Sequence, residues 1–202
     1  YWYYGKRFFC YERRCYLQTK VDFERVIMIK IETERVILRE FRMKDAPAIF
    51  DFGSNAEVHR YTGDAMLKSV DEAENIISEV FFDDYKKYGY GRWAVYYKPD
   101  NKVIGFAGLK YLPELNETDI GFRILPEYWG NGIMSEASRE ILKFGFENLK
   151  LNRIIGVVMP QNIASFKVLE KIGLKFYKSD FYESTEKYNW YKIEKDSCFS
   201  QK

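Results

Sequence analysis

The sequence predicts a single α/β domain, and three observations carry that prediction. Strand-like and helix-like segments alternate along most of the chain, as in a domain that layers helices on a sheet. A strand runs through a Gly-x-Gly loop, Gly130-Asn-Gly132, straight into an amphipathic helix. At 202 residues with 47% hydrophobic and 31% charged side chains, the chain has enough apolar material for one packed core. No repeat and no linker divides it.

The elements follow in order. Glu34–Phe41 (ERVILREF) is β-rich, and Met43–Phe52 reads as a short helix with Asp45 near its start. Asp51–Leu67 is polar and turn-rich and carries the only histidine, His59. Ser69 and Glu72 have capping-box spacing for a helix reaching to about Tyr88, and Gly89–Gly91 breaks it. Arg92–Tyr97 and Val103–Tyr111 are strands joined by the turn at Lys98–Lys102. Thr118–Leu125 follows, with Ile120, Phe122 and Ile124 on one face and Asp119, Gly121 and Arg123 on the other. Beyond the loop Pro126–Gly132, the residues Ile133, Ala137, Ile141, Phe144 and Leu149 form an apolar helical stripe. Ile154–Met159 is a short apolar strand of the kind buried on both faces. Asn162–Ile172 is a helix ended by Gly173, and Phe176–Tyr182 and Tyr188–Ile193 are the closing strands.

The first residues break with this pattern. Tyr1–Val26 carries six Lys/Arg against three acids and lacks the apolar stretch and small-residue cleavage site of a signal peptide. Regular patterning begins at Met28, so residues 1–27 read as an N-terminal extension, 28–195 as the domain and 196–202 as a tail. An added strand or a dimerisation arm is the competing reading of the extension. A formal charge of +2 recommends neither nucleic acid nor an anionic membrane as partner. No apolar run approaches the ~20 residues of a membrane span. Three cysteines (Cys10, Cys15, Cys198) and one histidine give neither a disulfide framework nor a zinc site of ordinary spacing, so no metal is expected. These features together suggest a cytoplasmic protein. Oligomeric state has no readable signal, and a homodimer stays open.

The chemistry is concentrated in Ile120–Ala137. Two glycines before a helix N-terminus can gather backbone N–H groups into one concavity, which with the helix dipole makes a phosphate cradle. Gly130 and Gly132 would supply positive φ and close approach. No Lys-Ser/Thr follows, which excludes a Walker loop, and Ser135 stands where the dinucleotide fingerprint needs a third glycine. The alternative is a tight strand-to-helix turn with no ligand.

The segment Pro-Glu-Tyr-Trp-Gly-Asn-Gly-Ile-Met-Ser-Glu-Ala resembles the coenzyme A loop of GNAT N-acetyltransferases, in the form used by the ribosomal-protein N-terminal (alanine/serine) acetyltransferase branch. Glu32–Phe41 resembles that branch's first strand, Val103–Leu109 its third, and Asn162–Gly173 its fourth helix. The resemblance runs from about Glu32 to Tyr191. It implies a mixed, mostly antiparallel central sheet, splayed at the coenzyme site, with helices on both faces. It implies acetyl-coenzyme A as co-substrate: its pyrophosphate on backbone N–H groups of Gly130, Asn131, Gly132, Ile133, Met134 and Ser135, and its pantetheine arm along Ile124 and Leu125. Asn162 matches a coenzyme-touching position and would equally serve as a helix N-cap. Glu127 departs from the Gln or Arg of many relatives.

Acetyl transfer needs a neutral amine, an oxyanion donor and an acid for the departing thiolate. Where many relatives place a tyrosine in the fourth helix, this chain has Leu169. Ser165 matches the serine that the ribosomal-protein branch uses as the acid; its other reading is a first-turn serine bonding to backbone. Candidates for the base are Asp119 first, then Glu117, Glu183 and His59, each with a plain solvated-charge or surface reading. Trp129, Tyr88, Tyr90 and Trp93 fit core packing as well as a substrate platform. The expected acceptor is a protein N-terminal α-amine. A small amine (polyamine, amino acid or aminoglycoside) is the alternative, and a non-catalytic acetyl-coenzyme A sensor is a different class again.

Overall fold

The computed structural model describes residues 29–182 and 186–198. The boundary expected at residues 27/28, the extension before it, Glu183 and most of the tail lie outside the described residues. The N-terminal strand signal resolves into a hairpin rather than the single strand expected over Glu34–Phe41. It consists of β1 (Ile29–Glu32) and β2 (Val36–Arg39), antiparallel about a turn at 33–35. After a 3-10 turn (Met43–Asp45) come α1 (Ala46–Gly53) and α2 (Ala56–His59). The segment expected to be all loop therefore contains a four-residue helix. Its cause is local, because the Asn55 side chain accepts from the N–H groups of Glu57 and Val58.

The long helix expected over 69–88 forms as α3 (Val70–Ile76), a π turn (Ile77–Phe81) and α4 (Phe82–Tyr88). Half of the capping box appears, with Ser69 Oγ accepting from Glu72 N–H at 3.2 Å. The Glu72 carboxylate reaches one residue further back than expected, to the Lys68 N–H at 2.8 Å. Gly89, at φ 75°, ends the helix. There follow β3 (Arg92–Tyr97), β4 (Lys102–Leu112), β5 (Glu117–Ile124), α5 (Ile133–Glu147) and β6 (Arg153–Val158). The last elements are α6 (Ile163–Lys171), β7 (Lys175–Phe181), β8 (Lys187–Glu194) and α7 (Lys195–Cys198).

The eight strands form one sheet in the order β1-β2-β3-β4-β5-β6-β8-β7. Every pairing is antiparallel except β5 with β6, which is parallel. That exception follows from connectivity, since β5 and β6 are joined by a helix rather than a hairpin. Strand alternation sends two sets of side chains to opposite faces. On one face Phe106 of β4 meets Phe52 of α1, and Tyr85 of α4 donates to the Arg92 carbonyl. On the other, Trp93 packs edge-on against Phe144 of α5. Gly145 there lets α5 settle onto Leu109 and Ile154, and Gly156 receives Leu169 of α6. Trp93, Leu109, Ile133, Ile141 and Phe146 are almost fully buried, so the face behind the glycine loop is a rigid wall. Among the described residues no helix is long and apolar enough to cross a membrane.

Candidate functional site

The site begins where β5 and β6 stop pairing. The two strands share a single register pair, Asp119 with Ile155. From Gly121 onward β5 is paired only to β4, while Gly156–Val158 of β6 are paired only to β8. A wedge therefore opens in the sheet toward the C-terminal end of β5. Asp119 sits at its apex. One carboxylate oxygen is ion-paired with the Arg92 guanidinium, and the other accepts from the Val157 N–H at 3.3 Å. The side chain thus carries the join one step past the last backbone pair. Arg92 also donates to the carbonyls of Gly108 and Asp119. Its guanidinium fits against β5 because Gly121 has no Cβ beneath it. Asp119 was expected to act as the base, yet both its oxygens are engaged in holding the strands. Arg92, which the sequence reading passed over, is what holds it.

The wedge leads to the loop. Pro126–Tyr128 forms a 3-10 turn, and Gly130 and Gly132 adopt φ 75° and 74°. Both glycines are needed for that left-handed backbone rather than for lack of space, since a Cβ at Gly130 would meet nothing within 4 Å. The first intrahelical bond of α5 runs from Glu136 N–H to the Gly132 carbonyl. The N–H groups of Ile133, Met134 and Ser135 lie ahead of it, and among the described residues no side chain caps them. The three side chains are buried. Asn131 and Gly132 are exposed.

A clamp from the other end of the sheet holds this turn. Glu136, in the first turn of α5, accepts from the Thr33 hydroxyl at 2.6 Å, the Arg35 N–H at 3.1 Å and the Arg35 guanidinium at 2.7 Å. Arg35 also donates to the Asn131 carbonyl at 2.8 Å. Partial burial would raise the Glu136 pKa, but these hydrogen bonds outweigh it and keep the carboxyl below its ordinary value. Thr33 and Arg35 lie about a hundred positions upstream of Glu136, a separation no local pattern bridges.

The other expected residues are placed as follows. Ile124 and Leu125 are buried, and much of their backbone is already used. The Ile124 carbonyl accepts from the Trp129 indole at 2.8 Å, and Leu125 N–H donates to Ile104. Trp129 is half exposed over the loop, whereas Trp93 is core and Tyr90 is buried with its hydroxyl on Thr118. Asn162 caps α6, its side chain accepting from Ser165 N–H at 3.1 Å. Ser165 is half-buried, and its hydroxyl makes no hydrogen bond among the described residues. Leu169 fills the space over Gly156 and is 2% exposed, so a core aliphatic occupies the position of the missing tyrosine. Glu117 pairs with Arg153.

His59 is not the surface residue expected. It ends α2 with its side chain 6% exposed, 3.3 Å from Asp64, whose carboxylate also receives two hydrogen bonds from Arg123 of β5 at 3.1 and 3.2 Å. Burial acts to raise the Asp64 pKa. Hydrogen bonding from His59, the Arg123 charge and hydrogen bonds from Arg123 and Thr62 override it and hold the carboxyl far below its usual range. This triad fastens the α2 loop to the sheet on the Arg92 face.

Comparison with known proteins decides what this frame belongs to. Residues 35–175 match the acetyltransferase (GNAT) domain. The chain belongs to the GNAT acetyltransferase family. It is 36% identical to the Bacillus subtilis N-acetyltransferase YoaA over 146 residues, which span 72% of this chain and 82% of that one. It is 31% identical to the Bacillus licheniformis N-acetyltransferase p20 over 162 residues, 79% of this chain and 89% of that one. A Bacillus anthracis GNAT acetyltransferase superposes with a TM-score of 0.71 at 27% identity, covering 84% of this chain and 99% of that one. The fold also matches the ribosomal-protein-S5-alanine acetyltransferase of Vibrio fischeri, with a TM-score of 0.69 at 19% identity over 82% and 96% of the two chains. The protein is thus an N-acetyltransferase, of a family that draws its acetyl group from acetyl-coenzyme A.

The buried triad yields a stability prediction. Asp64→Asn leaves Arg123 buried without its counter-charge and should cost about 3 kcal/mol at pH 7. A carboxyl whose folded pKa is depressed contributes stability that is complete above the unfolded value, about 4, and is lost as pH falls toward the folded one. Urea denaturation of both proteins should therefore show a constant deficit from pH 5 to 7 and a narrowing one below pH 4. A deficit that does not change with pH would contradict the charged pairing.

Proposed function

We propose that the acceptor is a protein N-terminal α-amine, acetylated from acetyl-coenzyme A bound along the wedge between β5 and β6. The observation that carries this reading is the wedge itself, opening onto the uncapped first turn of α5. A pyrophosphate set on the N–H groups of Gly130–Ser135 would meet the positive end of the helix dipole. From there a pantetheine arm could run down the unpaired edge of β5. Because Ile124 and Leu125 have spent much of their backbone on Trp129 and Ile104, the arm's partners are assigned to the stretch of β5 before them, between Gly121 and Arg123.

The engaged state of Asp119 favours an α-amine. A peptide N-terminus has a pKa of about 7.8, so about one molecule in seven is neutral at pH 7. For a lysine-like amine near 10.4 the fraction is about one in 2,500. An α-amine can lose its proton to water, whereas a polyamine needs a dedicated base, and Asp119 is braced against Arg92. In the reaction the neutral amine nitrogen attacks the thioester carbonyl carbon and gives up a proton to solvent as the C–N bond forms. The C–S bond breaks, and the thiolate takes a proton. Ser165, with its hydroxyl free and Asn162 fixing the first turn of its helix, is assigned as that acid, resupplied from solvent. That the Vibrio fischeri neighbour is a ribosomal-protein-S5-alanine acetyltransferase agrees with this acceptor class.

Thiol release from acetyl-coenzyme A, measured across peptides with free N-termini and a panel of small amines, tests the acceptor. Peptides should lead by at least tenfold in kcat/KM; a small amine in first place would overturn the proposal, and no turnover with any amine would favour a sensor. Within this reading, Ser165→Ala should lower kcat by roughly 10²-fold. Coenzyme affinity should barely move, and stability should change by less than about 1 kcal/mol. Wild-type kcat in the variant, with chemistry limiting turnover, would leave water as the acid.

A further inference from the structure

A cavity of about 740 Å³ lies on the α1 face of the sheet, walled by β2, α1 and the β3–β4 hairpin. No residue of β5, the glycine loop, α5 or α6 lines it, so it is separate from the transfer site. Its size falls within the range of small-molecule pockets.

Its charged groups do not cancel. Arg39 and Asp45 form a buried two-bonded pair, at 2.6 and 2.8 Å, and neutralise one another. At the rim, Lys102 and Asp51 stand 4.0 Å apart and offset each other. That leaves Arg42 and Lys44 as cations with no carboxylate on them among the described residues. The Arg42 Nε is buried and has no hydrogen-bond partner. Arg42 nonetheless lines the cavity beside Lys44. Two positive charges suit a phosphate group, which carries about −1.5 to −2 at neutral pH and accepts through three oxygens. A monocarboxylate would leave one cation uncompensated.

We propose that this cavity is an anion site, distinct from the acetyl-transfer site, for a small phosphate-bearing metabolite held by Arg42 and Lys44. Its natural consequence is an allosteric or supplementary binding site on the face where α1 meets the sheet.

The test is an NMR titration of the ¹⁵N-labelled chain with inorganic phosphate, following the arginine Nε–Hε signal that disappears in Arg42→Lys. That signal should move saturably with phosphate and stay fixed in sodium chloride of equal ionic strength. Lys44→Gln, at an exposed position where folding is not at stake, should weaken phosphate binding at least fivefold. Lys143→Gln, exposed on α5 on the other face, should leave it unchanged. No movement, equal movement with chloride, or undiminished affinity in Lys44→Gln would overturn the site. Citrate acting at lower concentration than phosphate would overturn the assignment to a phosphate.

Discussion

The constraint on which the rest depends is the single register pair between β5 and β6. A sheet whose central strands part after one residue leaves backbone polar groups open in the middle of a domain, which ordinary packing does not tolerate. The fold meets this cost with polar side chains rather than with more strand. Asp119 reaches across to the Val157 N–H, Arg92 holds Asp119, and the absence of a Cβ at Gly121 lets Arg92 lie across β5. The wedge is therefore a built feature with its own bracing. The same bracing engages both carboxylate oxygens of Asp119, which bears on the proposed acceptor.

The loop at the mouth of the wedge depends on a second brace. Its two left-handed glycines and uncapped helix turn would be loose if left to local forces, because an exposed Gly-Asn-Gly stretch has much backbone freedom to lose. Arg35 and Thr33 supply order from outside, gripping Glu136 and the Asn131 carbonyl together. An acidic residue in the first turn also favours the helix dipole. Being held by Arg35, Glu136 can serve there without its charge standing alone beside the proposed pyrophosphate site. Preorganised donors of this kind bind an anion without ordering a loop at the moment of contact.

Local signals carried much of this into the sequence. The Gly-x-Gly loop, the alternating faces of Thr118–Leu125, the apolar stripe of α5 and the Asn162 cap were all legible, because each is a short-range pattern with a single physical cause. That Leu169 stands in place of a hydroxyl was legible only through the family resemblance. What escaped was long-range. The Thr33–Arg35–Glu136 clamp and the Arg92–Asp119 brace join segments far apart in sequence, and no periodicity announces them. His59 illustrates the same limit. Alone in a polar loop it looks like surface, yet Asp64 and Arg123 take it into a buried cluster. The expected strand, Glu34–Phe41, takes in β2 and omits β1, because the turn between them, Thr33-Glu-Arg35, contains no glycine, proline or asparagine to mark it.

The central claim is that the wedge and the loop together receive acetyl-coenzyme A through backbone donors. Amide hydrogen exchange with and without acetyl-coenzyme A tests this most directly, because it reads those N–H groups themselves. The account predicts added protection concentrated in the loop and first turn of α5, residues 130–135, and along β5 between Gly121 and Arg123, with little change in β1–β3. Protection that appears elsewhere while residues 130–135 exchange as before would contradict it.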